Sequence, residues 1–157
     1  EDMLRGLGLD INRVKNELIA RFQVDEKTAQ EMYDWYDNLI EMMRMEKVEQ
    51  AGHIQVLRND VNELTELHFF LLHEVHDMRY QQIVSGAAMN LVEFRTKAGV
   101  GNEVSDVELA LNALYGHLML RLQKKEVSAQ TLQAMEAFGK MIGYLAARYK
   151  KMEEENK

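Results

Sequence analysis

Apolar side chains recur along this chain every three or four residues, segment after segment, which is the spacing of one buried helical face. Ile11, Val14, Leu18 and Phe22 follow Asp10, and Met32, Tyr36, Leu39, Ile40 and Met43 follow Asp25 up to a stop near Gly52. A stretch over about 52–75 carries Leu57, Val61, Leu64, Leu71 and Val75, and one over about 77–99 carries Tyr80, Val84, Ala87, Leu91 and Ala98. After the loop Gly99-Val100-Gly101-Asn102, the run from Leu109 to Leu122 is interrupted only by Asn112, Gly116, His117 and Arg121. The last stripe is Leu132, Met135, Phe138, Ile142, Leu145 and Tyr149, before the acidic Glu153-Glu154-Glu155.

The first N–H groups of a helix need acceptors, and these segments open on side chains that supply them. Asp10 and Asp25 are the expected N-caps, with Leu9 stapled to Val14 in the first case. Ser105-Asp106-Val107-Glu108 reads as a capping box with Val104 stapled to Leu109, and Val127-Ser128 opens the last helix with Val127 stapled to Leu132. The pattern predicts a compact all-α bundle of about six helices forming one domain over 1–157. Apolar nearly all round, the helix near 107–122 is expected at its centre. Glycine inside a helix costs up to ~1 kcal/mol against alanine. Gly116, Gly139 and Gly143 are therefore expected to mark close helix approach, and Gly116→Leu to lower the melting temperature.

Composition narrows the classes. Zero proline, where average usage gives roughly eight, agrees with a chain dominated by helix interiors. The net charge of −7 argues against a nucleic-acid-binding face. Zero cysteine excludes disulfides, thiol nucleophiles and thiolate metal sites, and fits the reducing cytoplasm. No apolar run approaches the ~20 residues of a bilayer span, so no membrane is expected.

Candidate chemistry is sparse. His73, His76 and Asp77 fall at i, i+3 and i+4, a spacing that offers imidazole and carboxylate to a divalent metal on one helical face. His73-Glu74-Val75-His76 is one residue short of a zincin motif. No glutamate here is followed by histidine three residues later, which removes the di-iron bundle pattern. His68 falls on the Leu64–Leu71 face and is expected as a hydrogen-bonded, half-buried residue. Arg121, Lys124 and Lys125 match the negative end of a helix dipole. No nucleophile elbow or phosphate-binding glycine loop is present.

A surface for a ligand or partner is the other candidate. Tyr33, Trp35 and Tyr36 cluster with Met42 and Met43 on one helix, in a chain holding 11 methionines. Aromatic anchors and pliable thioethers suit partner helices. Adjacent Met42 and Met43 cannot both face inward. The function expected is a non-enzymatic cytoplasmic interaction or scaffold protein that forms a homo-oligomer and needs no cofactor. The alternative is a small-molecule or metal-binding helical module.

Three stretches, taken together, carry a resemblance. They are Asp2-Met3-Leu4-Arg5 leading into Leu9-Asp10-Ile11; Met32-Tyr33-Asp34-Trp35-Tyr36-Asp37-Asn38-Leu39-Ile40-Glu41-Met42-Met43; and Ala113-Leu114-Tyr115-Gly116-His117-Leu118-Met119-Leu120-Arg121-Leu122 into Lys124-Lys125-Glu126. Over nearly its whole length the chain resembles an uncharacterised all-helical family of unknown function found in Bacteroidetes. The resemblance implies a further N-terminal helix, rich in Leu, Tyr and Trp, whose end would be Glu1–Gly6. It brings no assigned activity and no functional residue.

Overall fold

The computed structural model describes residues 1–155 and is all-α, with seven helices in order among them. They are α1 (Asp2–Gly6), α2 (Ile11–Arg13), α3 (Glu26–Met45), α4 (Gln55–Phe69), α5 (Met78–Ala98), α6 (Asp106–Leu122) and α7 (Ala129–Glu155). Contacts gather into two compact units, Glu1–Asn59 and Asp60–Lys157.

In the first unit, Asp10 accepts the amides of Asn12 and Arg13 and starts α2. The chain then relaxes into a π turn, Val14–Leu18, and a 3₁₀ turn, Ile19–Phe22, where the apolar spacing predicts a single α-helix. Asp25 caps α3 through the amide of Thr28. Leu4, Val14, Ile19, Leu39, Ile40 and Met43 meet in the core, with Val48 and Ile54 from the loop after α3. That loop is pinned by Arg5, whose guanidinium donates to the carbonyls of Val48 and Gly52.

In the second unit, α5, α6 and α7 pack on one another, and Leu67 and Leu71 join them. Tyr80, Ala87, Val107, Ala110, Phe138, Met141 and Leu145 are fully buried there. Asp77 caps α5 and Ser105 caps α6, as their amide partners Tyr80 and Glu108 show. Arg95 closes the loop between them, donating to the carbonyls of Gly101 and Val104 and pairing with Asp106 at 2.8 Å.

Two expectations are corrected. Only the first half of α6 is central: Val107, Leu109, Ala110 and Ala113 are buried, whereas Tyr115, Leu118 and Leu122 are exposed. No close approach occurs at the helical glycines either. A Cβ built on Gly116, Gly139 or Gly143 meets nothing within 4 Å. With space available and a helical backbone, Gly116→Ala is expected to stabilise by up to ~1 kcal/mol, a rise of about 2–4 °C in melting temperature. A lower melting temperature in a thermal melt would restore close packing at this position.

Candidate functional site

On α3, the inward arc is set by Leu39, Ile40 and Met43. Roughly one hundred degrees of rotation per residue then fixes where the other candidates point. Met43, expected on the partner surface, is fully buried, so that assignment is corrected: it is core. Met42 and Tyr36 are half-buried beside the same cluster. Trp35 is 60% exposed and Met45 79% exposed, so the outer face is aromatic and thioether side chain among Glu31, Asp34 and Glu41. Trp35 stands edge-on to Tyr36 with ring centres 4.9 Å apart. Tyr33 turns the other way, into a shallow groove with Ile19 and Ala29, where the Lys15 ammonium lies 5.9 Å from its ring centre.

The histidine cluster does not share the helical face that its spacing implied. After Phe69 the helix widens into a π turn, Phe70–Glu74, and His76 is left-handed with φ 52°. The Asp77 amide donates back to the Leu71 carbonyl at 2.8 Å, closing the helix end. His73 instead stacks on Phe69 with ring centres 6.0 Å apart. The Asp77 carboxylate is already engaged, by the Tyr80 amide at 3.0 Å and the Tyr144 hydroxyl at 2.8 Å. These two donors hold its pKa below the usual carboxylate value, and burial and the carboxylate push Tyr144 up. Among the described residues no three His, Asp or Glu side chains are grouped to hold a metal ion.

His68 is buried in the core, its Nδ1 at 2.7 Å from the Tyr80 hydroxyl. Burial lowers the His68 pKa and raises that of Tyr80. Thr65 and Ser105 join hydroxyls at 3.1 Å nearby, and Ser105 is also a cap. These polar groups satisfy one another inside the fold, as buried polar groups must.

One feature was not visible in the sequence. The C-terminal half of α4, with Phe70 after it, and the end of α7 enclose an open cleft of about 480 Å³. Leu67, Phe70 and Met152 form its apolar walls, and Glu63, Glu66 and Glu153 ring it. The Tyr149 hydroxyl donates to the Glu63 carboxylate across 86 positions of chain. That bond, then burial, pushes the Tyr149 pKa up to about 12. The Phe70 wall stays partly open to solvent. The arrangement can take an apolar body that carries positive charge at its edge.

No helix among the described residues is long and apolar enough to cross a membrane. Neither the curated proteins nor the solved structures give a match to this chain. A family described as a domain of unknown function, DUF4924, matches residues 1–156, and the chain belongs to it.

Proposed function

For this DUF4924 member we propose a non-enzymatic interaction protein of the cytoplasm that works as a homo-oligomer and receives a basic amphipathic helix of a protein partner. The α4–α7 cleft carries the reading: apolar walls for the helix's hydrophobic stripe and three carboxylates for its cations. Exposed Trp35 and Met45 on α3 are a further contact surface of the kind that anchors partners. Enzyme chemistry has less support, because His68, Asp77, Ser105 and Tyr144 are committed to caps and core bonds. The runner-up is a small-molecule module, favoured by a cleft volume within the ~300–1,000 Å³ of ligand pockets.

A labelled synthetic Leu/Lys helix, titrated by fluorescence anisotropy, tests the reading. Saturable binding is expected for the amphipathic peptide, with at least tenfold weaker binding to a Glu66→Lys, Glu153→Lys variant. A scrambled peptide of equal charge should bind at least tenfold more weakly. Equal affinity for the variant, or for the scrambled peptide, would contradict the cleft as the recognition site.

A further inference from the structure

Three of the chain's five histidines, His68, His73 and His76, fall where α4 gives way to the π turn and then to α5. Only His68 of the three is buried, at 5% exposure. Its ring stands edge-on to Phe69 at 5.3 Å and to Tyr80 of α5 at 5.6 Å. Tyr80 in turn stacks at 5.4 Å on Tyr144 of α7, whose hydroxyl donates to the Asp77 carboxylate. The bond between His68 Nδ1 and the Tyr80 hydroxyl thus ties the end of α4 to the start of α5.

A phenol donates and a neutral imidazole nitrogen accepts, which assigns the ring's own proton to Nε2. A second proton has to enter at Nδ1, against the hydrogen of the phenol, so the bond does not survive in its present direction. Burial is what most disfavours the charged ring. Asp106 at the start of α6 pulls the other way, but Arg95 already holds that carboxylate at 2.8 Å, and a charge on His73 opposes one on His68. The His68 pKa is lowered in consequence. We propose that the His68–Tyr80 bond is an acid-sensitive latch, closed while the ring is neutral and releasing the end of α4 from α5 when the ring takes up a second proton. Its bearing on function rests on the α4–α7 cleft as the partner's seat, because Leu67 and Phe70, two of the cleft walls, belong to the released segment. A group whose pKa is lowered by folding stabilises fully above its unfolded value, about 6.5 for histidine, and progressively less as the pH falls through the folded value. At pH 5.5 the closed form therefore loses at most about tenfold against the open one.

Amide hydrogen exchange of the full chain, read by NMR, tests the latch, because the Val75 and Asp77 amides close on the carbonyls of Phe70 and Leu71 in the same segment. Their protection factors are expected to fall at least fivefold from pH 7.5 to 5.5 in the wild type. In His68→Gln, whose side chain does not titrate, the fall should stay below about twofold. The His68 ring signals of the wild type should titrate below the ordinary histidine value, a measurement that decides the matter should the glutamine variant fail to fold. Constant protection in the wild type, an equal fall in both proteins, or an ordinary His68 midpoint would overturn the latch. At pH 5.5 the Leu/Lys helix, at ten times its dissociation constant, should raise wild-type protection about tenfold. A peptide that binds without raising protection would overturn the link between latch and cleft. One that does not bind at all would remove the cleft reading, while the exchange data still decide the latch.

Discussion

Phe138→Ala is expected to be the most damaging single substitution in the second unit. The ring is fully buried on α7 and meets Phe94 edge-on, with centroids 6.2 Å apart. Leu91, Ala110, Ala113 and Leu145, from α5, α6 and α7, are buried in the same cluster. Truncating a buried phenylalanine loses its transfer free energy and leaves a cavity, together about 3–5 kcal/mol. A chemical-denaturation curve should show that loss, and a thermal melt a fall of roughly 6–20 °C. A loss below about 1 kcal/mol, small against the range for such truncations, would mean that this core is not packed as described.

Met43→Ala comes next, and its neighbour two residues on provides the contrast. Met43 is sealed in the first unit's core with Leu4, Val14 and Ile40, whereas Met45 points to solvent. Removing the Met43 side chain is expected to cost about 2–5 kcal/mol. Met45→Ala should stay within about 0.5 kcal/mol, as surface changes do. Urea unfolding of the two variants side by side separates core from surface. Similar effects from both would mean that α3 does not turn its Met43 side inward.

Helix beginnings are legible in the sequence because they are written in side-chain oxygen. Asp10, Asp25, Ser105 and Ser128 are all expected as openings, and each accepts a main-chain amide at its helix start. Endings are harder to read. Lys47, His76 and Lys124 adopt the left-handed conformation where glycine would have announced a stop. For that reason the pattern carries α3 on toward Gly52 and sets His73, His76 and Asp77 on one continuous face. The break between the 52–75 and 77–99 stretches does fall at His76, whose left-handed turn carries Asp77 off the His73 face. A left-handed residue other than glycine costs ~1–2 kcal/mol, which the closing bond from Asp77 to Leu71 helps to offset.

Burial is legible only where periodicity has contrast. On α3 and α7 the polar side shows which way the helix faces, and Ile40, Phe138 and Leu145 are core as their spacing implies. On α6 there is little contrast, so the pattern does not tell a helix covered on all sides from one with an apolar face left over. The cleft is out of reach for another reason. Glu63 and Tyr149 lie 86 positions apart, and only the packing of the second unit makes them neighbours.

Association through surfaces that the fold does not bury is the central claim, and the mass of the native wild-type chain tests it most directly. Sedimentation equilibrium over a roughly hundredfold concentration range should return a multiple of 18.3 kDa that falls toward 18.3 kDa on dilution. A mass of 18.3 kDa at every concentration would contradict self-association.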